Sequence, residues 1–252
     1  MSEAVYPSLK GRLVVITGGG SGIGEGLTEA YARQGARVIF LDIAEAASRA
    51  LEARLSGLDP APAFIPCDLT DLDRLKAVLA AVEAEHGPVD VLVNNAANDD
   101  RHEAVEVSPS YWDDRIAVNL RHQFFAAQAV APAMRARGRG VILNLGSISW
   151  HLGLPQLSLY ETSKAAIEGM TRALAREWGK EGVRVACIVP GNVKTERQMK
   201  WYTPKGEAEI VAAQCLKLRI EPKDVAALAL FLSSDDARAI TGHEYFVDAG
   251  WR

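Results

Sequence analysis

Tyr160 and Lys164 stand one helical turn apart in the run Tyr160-Glu-Thr-Ser-Lys164, just after a polar loop that opens at Ser147. On a helix that spacing puts both side chains on one face, one above the other. A phenol with its ordinary pKa of about 10 is a poor base at neutral pH, and an ammonium beside it stabilises the phenolate and lowers that value. Tyr160 is therefore a candidate base for taking a proton from a hydroxyl, with Lys164 the expected cause of its activation. Ser147, at the end of an apolar run, could hydrogen-bond the same substrate oxygen if the loop from Ser149 to Leu159 folds back. Singly, a tyrosine at a helix start, a solvated lysine and a serine at a strand end are common, so the case rests on their combination.

A second group of residues could hold a nucleotide. The first apolar run, Leu13-Val-Val-Ile-Thr17, leads into Gly18-Gly-Gly-Ser-Gly-Ile-Gly24 and then into a helix expected from about Glu25. Backbone amides in such a turn, from Gly18 through Ser21, Gly22, Ile23 and Gly24, suit a pyrophosphate because no Cβ blocks the approach and the helix dipole is positive there. Alone, a glycine-rich turn is a weak signal. Its place between strand and helix, with an acidic residue ending the next strand, supplies the context.

That acidic residue is Asp42, after Val38-Ile-Phe-Leu41. A carboxylate there accepts both hydroxyls of the adenosine ribose and repels a 2′-phosphate. With no Lys or Arg at Ser21 or Ile43, NAD is the expected cofactor. Capping of a helix is the plainer alternative for Asp42. Asp68, followed by Leu69 after the third strand, is a candidate for the adenine amino group or, nearly as well, for a helix N-cap.

These groups need elements to position them. Apolar runs at Leu13–Thr17, Arg37–Leu41, Val89–Asn94, Val141–Leu145, Val183–Val189 and Glu244–Val247 alternate with helical patterns such as Leu72, Leu75, Val78, Leu79 and Val82, or Ile167, Met170 and Leu174. Alternation of this kind implies parallel strands joined by right-handed crossovers. The expected fold is α/β: a single-domain, Rossmann-type, doubly wound parallel sheet of about seven strands with helices on both faces, spanning residues 1–252. No linker or repeat interrupts it. The polar segment at about 193–209, which follows a strand and carries Trp201 and Tyr202, is expected to be a substrate lid.

Composition narrows the function classes. The net charge of −4 and the lack of any Lys/Arg run leave no electrostatic footprint for nucleic acid or an anionic membrane. The three cysteines, Cys67, Cys187 and Cys215, are widely spaced, and no His joins them in a metal-site pattern, so thiols in a reducing compartment and no metal are expected. The N-terminus lacks an apolar signal core and no apolar run reaches membrane length, which points to the cytoplasm. The expected partner is a small molecule.

Together these motifs, in this order and across the whole chain, resemble the short-chain dehydrogenases/reductases. The family's TGxxxGxG appears as Thr17-Gly18 with Gly22 and Gly24, its NNAG as Asn94-Asn95-Ala96-Ala97 with alanine in place of the final glycine, and its PGxxxT as Pro190-Gly191 and Thr195. Its catalytic tetrad falls on Asn119, Ser147, Tyr160 and Lys164. The resemblance implies that Asn119 holds a water linking Lys164 to solvent, that Lys164 and Tyr160 also bind the cofactor, that Asn94 and Asn95 stand beside it, that Val193 and Thr195 contact the carboxamide, and that the protein is a homotetramer.

Within that family, the stretches Asn98-Asp-Asp-Arg-His102, Ser147 to Leu154, Gly191 to Thr195, Lys200 to Pro204 and Gly242 to Tyr245 resemble bacterial NAD-dependent aldopentose 1-dehydrogenases. This implies an aldose substrate, D-xylose first and L-arabinose close behind, oxidised at the anomeric carbon to the aldonolactone. A pyranose suits polar groups beside flat aromatics, and the expected rim supplies Asn98, Ser149, Trp150, His151, Gln156, Arg197, Trp201 and Tyr202. Trp150 and Trp201 could equally be packing residues, and Arg197 could pair with a lid carboxylate. Another sugar or polyol dehydrogenase, a carbonyl reductase, a nucleotide sensor and a purely structural subunit are the competing readings. Asp42 and the polar rim argue against the carbonyl reductase, and the complete tetrad argues against the sensor.

Overall fold

The computed structural model describes residues 4–199 and 202–251. Short runs rich in Val, Ile and Leu become strands because branched side chains suit a pleated, buried surface. Among the described residues there are seven: β1 Leu13–Thr17, β2 Arg37–Asp42, β3 Ala63–Pro66, β4 Val91–Asn94, β5 Gly140–Leu145, β6 Val183–Pro190 and β7 Glu244–Val247. They form one sheet in the order β3-β2-β1-β4-β5-β6-β7, with every pairing parallel. The α-helices are α1 Gly22–Arg33, α2 Glu45–Leu55, α3 Leu72–His86, α4 Pro109–Ile116, α5 His122–Ala136, α6 Ser149–Leu152, α7 Ser158–Trp178, α8 Glu196–Met199, α9 Pro204–Ala213 and α10 Pro222–Ser233.

The two-residue period of a strand explains the layers. Val14 and Ile16 of β1 pack with Leu27 and Tyr31 of α1 and with Val225 and Leu230 of α10. Leu13 and Val15 pack on the opposite face with Leu75 and Leu79 of α3, Val130 of α5 and Trp178 of α7. The architecture is thus the doubly wound α/β sheet that the alternating runs implied. β3 is a short strand of four residues that ends in Pro66. It lies on the sheet edge, where a missing backbone donor is tolerated.

Three boundaries matter for the site, and those at α1 and β5 differ from expectation. α1 starts within the glycine turn, at Gly22, rather than at Glu25. Asp42 is the last residue of β2, and Ser147 lies two residues beyond the end of β5. The strand order reverses between β1 and β4, which opens a crevice outside their carboxyl ends. The segments beginning at Gly18, Asn95, Gly146 and Gly191 all leave the sheet at that end. Among the described residues, no helix is long and apolar enough to cross a membrane.

Candidate active site

The glycine turn is fastened to the end of β4. Thr17 Oγ1 accepts from the amides of Asn95 at 3.0 Å and Ala96 at 3.2 Å, while Asn95 Nδ2 donates to the carbonyls of Thr17 at 3.0 Å and Gly18 at 2.8 Å. Gly22 and Gly24 are among the positions of the turn that need glycine. Gly22 has φ +57°, and a Cβ on Gly24 would lie 1.8 Å from the Gly18 oxygen. Ser21, at the N-cap of α1, makes no side-chain cap bond. The first amides of α1 therefore have no side-chain acceptor, and the positive end of the helix is open to an anion. This cradle fits the pyrophosphate of a dinucleotide.

Asp42 sits at the lip of the cradle. Its Oδ2 accepts from Gly20 N at 2.9 Å and its Oδ1 from Ala44 N at 2.9 Å, so one carboxylate ties the turn to the start of α2. Ile43 beside it is 73% exposed, an apolar surface next to the acid. Asp68 caps no helix: its Oδ1 accepts from Thr70 N at 2.9 Å and Thr70 Oγ1 at 2.7 Å, and Asp71 caps α3 through Arg74 N. Other expected cofactor residues face inward. Leu69 and Val193 pack in the core. Asn94 is fully buried and donates to the Gln123 carbonyl and to Asn144 Oδ1, bracing β4 against β5 and α5. Thr195 lies against the turn, its Cγ2 3.3 Å from where a Cβ on Gly22 would stand.

The chemical group forms where α7 begins. Lys164 Nζ, on a side chain only 1% exposed, donates to the Leu145 carbonyl at 2.7 Å and lies 5.3 Å from the centre of the Tyr160 ring. Tyr160 shares a hydrogen bond with Ser147. Ser147 Oγ also accepts from Ser149 N at 3.1 Å, which turns the backbone into α6.

The electrostatics correct one expectation. The Tyr160 pKa is raised rather than lowered, first by burial and then by Asp99, against the opposing effects of Ser147 and Arg197. The Lys164 ammonium lies 5.3 Å from the centre of the ring and donates to the Leu145 carbonyl. Lys164 itself is lowered to about 8 by burial.

Asn119 lies in a π-helical turn, Ala117–Arg121, between α4 and α5. Its side chain is committed: Oδ1 accepts from Asn98 N at 2.8 Å and Nδ2 donates to the Asn98 carbonyl at 3.0 Å. The side-chain amide thus clamps the peptide of Asn98. One residue further, Asp99 receives Arg197 Nη2 on Oδ1 and Gln198 Nε2 on Oδ2, both at 2.8 Å. Arg197 thus pairs with a carboxylate of the β4–α4 segment, not with a carboxylate of its own segment, and its Nη2 also lies 2.8 Å from Asn98 Oδ1. Tyr202 donates to Gln198 Oε1 at 2.8 Å and accepts from Asn192. Trp201 lies outside the described residues.

Trp150 and His151 are held from behind. Trp150 Nε1 at 2.8 Å and His151 Nε2 at 3.1 Å share Oε1 of the buried Glu168, and His151 is edge-on to Phe246 at 5.0 Å. Their polar atoms face Glu168 and not Tyr160. Gln156, at φ +65°, pairs with exposed Glu103. Ser149 is buried with no hydrogen-bond partner for its hydroxyl among the described residues, next to Ser147. Glu168 and Asp99 were not singled out from the sequence. Glu168 left a trace: Tyr160, Lys164 and Glu168 are spaced by four on one helix. Asp99 left none beyond its place in a polar run.

An open helix N-terminus at the switch point of a parallel sheet, with buried Lys164 and half-buried Tyr160 and Ser147 at the same end, defines a dinucleotide-dependent oxidoreductase of the Rossmann type. A family model described as enoyl-(acyl carrier protein) reductase matches residues 18–252. A D-xylose 1-dehydrogenase of Caulobacter vibrioides is 67% identical over 252 residues, covering 100% of both chains. A galactitol 2-dehydrogenase (L-tagatose-forming) of Cereibacter sphaeroides is 40% identical and covers 96% of each. A crystal structure from Sinorhizobium meliloti, assigned provisionally to the short-chain alcohol dehydrogenases, superposes with a TM-score of 0.91 at 30% identity over 97% of this chain and 98% of that one. The chain belongs to the short-chain dehydrogenase/reductase family.

Proposed function

We propose that the protein oxidises the anomeric carbon of an aldopentose to the aldonolactone, with D-xylose preferred and L-arabinose close behind, and with NAD as the hydride acceptor. One observation carries this: Tyr160, Ser147 and Lys164 converge in a chain that is 67% identical end to end to a D-xylose 1-dehydrogenase. A bound nicotinamide would supply the acceptor for the hydride and a positive charge that favours the phenolate. The protein's part is alignment and proton transfer. Ser147 hydrogen-bonds the anomeric hydroxyl, Tyr160 takes its proton, and Lys164 holds the nicotinamide ribose and passes charge toward solvent. Asn119 acts by fixing the Asn98 peptide.

Asp42 supports NAD over NADP, because its carboxylate at the lip of the turn repels a 2′-phosphate and neither Ser21 nor Ile43 offers a compensating cation. In this assignment Ile43 flanks the adenine, Asp68 takes its amino group, and Thr195 with the backbone of Val193 meets the carboxamide. Ser149, Asn98, Arg197 and Tyr202 form the sugar rim, with residues 193–209 as the lid of a single domain spanning 1–252. Trp150 and His151 shape the rim through Glu168. The protein works in the cytoplasm as a homotetramer.

The test follows NADH formation with NAD against D-xylose, L-arabinose, D-ribose, D-glucose, D-galactose and galactitol, using Tyr160→Phe as control. One dominant pentose and a control slower by about 10²–10⁴ support the assignment. NADH from a polyol alone moves the substrate class, and an active control removes Tyr160 as base. Sedimentation as a monomer at micromolar concentration would remove the tetramer.

A further inference from the structure

We infer that His102 is a positioning residue for the reaction at Tyr160: an imidazole from the β4–α4 segment caps the first turn of the helix that carries the base. The inference rests on the reading of Tyr160 as that base.

Tyr160 is the third residue of α7, in the turn whose leading amides have no partner inside the helix. The chain supplies no local cap. Leu157, at the N-cap, makes no side-chain cap bond, and its φ of −127° and ψ of 19° lie outside the extended region from which a capping side chain reaches the amides ahead. Gln156 before it, at φ +65°, turns the chain sharply into the helix. The acceptor comes instead from a distant segment. His102 Nε2 accepts from Leu159 N at 3.4 Å and lies 2.9 Å from Ser158 Oγ.

Two one-way partners fix the tautomer of the ring. Leu159 N only donates, so Nε2 is unprotonated, and the Asp100 carbonyl, 3.2 Å from Nδ1, only accepts, so Nδ1 carries the proton. The Ser158 hydroxyl then donates to Nε2. The ring is also packed edge-on to Tyr111, 5.4 Å between centres, and the Tyr111 hydroxyl donates to Asp100 Oδ2 at 3.3 Å. The backbone joins the same two segments: His102 N donates to the Gln156 carbonyl at 3.0 Å, and Arg101 Nη1 to the Pro155 carbonyl at 3.3 Å. Residues 101 and 102 therefore grip both the approach to α7 and its first turn. Ser163 Oγ, which donates to the Leu159 carbonyl at 2.9 Å, carries that hold to the residue beside Lys164. Without the cap, the turn that bears Tyr160 is the part of α7 free to fray, and a misplacement of about 1 Å at a reacting group can cost about 100-fold in rate.

The experiment measures kcat, the KM for sugar and the dissociation constant of NAD for the wild type, His102→Phe and His102→Gln, with the sugar that turns over fastest, together with amide hydrogen exchange over residues 157–161. His102→Phe keeps a flat ring beside Tyr111 and loses the acceptor. Its kcat should fall about tenfold and exchange over the first turn should quicken about fivefold, with NAD binding within about twofold of wild type. His102→Gln, whose amide oxygen restores an acceptor, should recover most of both. A rise in KM with kcat kept, or a His102→Gln protein no better than His102→Phe, overturns the inference. Should His102→Phe fail to fold, His102→Asn, too short to reach Leu159, takes its place under the same criteria. Unchanged kcat and exchange, with Tyr160→Phe silent, remove the role of His102 alone. Turnover by Tyr160→Phe removes the base, and this inference with it.

Discussion

Lys164 donates to the carbonyl of Leu145 at 2.7 Å, filling the acceptor left free where β5 ends with the ammonium of a helix that starts at Ser158. The ammonium is buried, and burial lowers its pKa from 10.5 to about 8. A cation whose folded pKa is depressed costs stability fully below that value, and the cost fades as pH rises from about 8 to 10.5. Lys164→Met should therefore be inactive yet more stable at pH 7 by about 1–2 kcal/mol, after allowing for the orphaned carbonyl. Urea unfolding at pH 7 and 10.5 checks this: the gain should vanish at the higher pH, and a less stable variant at pH 7 would contradict it.

Glu168 gives one oxygen to two half-buried donors, Trp150 Nε1 and His151 Nε2. Glu168→Ala strands both, which should cost about 2–4 kcal/mol and lower Tm by roughly 5–15 °C. The loop through α6 should then loosen, raising the KM for sugar more than that for NAD. Thermal melting and steady-state kinetics read the two effects separately.

Asp42 joins Gly20 and Ala44 through its two oxygens. Asp42→Ala should raise the KM for NAD about tenfold, a loss of about 1.4 kcal/mol, while turnover with NADP becomes measurable. The ratio of kcat/KM with the two cofactors is the readout. An unchanged ratio would make Asp42 a brace for the turn and nothing more.

His122 is fully buried, its Nε2 3.2 Å from the Ala96 carbonyl, and burial lowers its pKa from 6.5 to about 4. The unfolded chain takes up that proton more readily, so the stability tied to neutral His122 is present above about pH 6.5 and is lost as pH falls toward 4, by up to about 3 kcal/mol. Melting curves of the wild type should drop between pH 7 and 5 more steeply than those of His122→Asn.

Much of this protein was written in local pattern. Alternating apolar runs and helical spacing determined the parallel sheet, because strand and helix periods depend only on neighbouring residues. The glycine turn, the strand-end Asp42 and the one-turn spacing of Tyr160 and Lys164 are equally local, so their places could be read. β3 could not be read as surely, because a short edge strand buries too little to need a long apolar run.

What tertiary structure decided is where side chains from distant segments meet. Only the fold turned the Lys164 ammonium to the Leu145 carbonyl, spent the Asn119 amide on Asn98, and set Arg197 against Asp99 across 98 positions of chain. Likewise it aimed Trp150 and His151 at Glu168 rather than into the cleft. Residue types and spacing specify which chemistry is available. Direction, burial and the charge each group feels depend on packing between elements far apart in sequence, and those quantities set the pKa of Tyr160 and decide which rim groups remain free for a sugar.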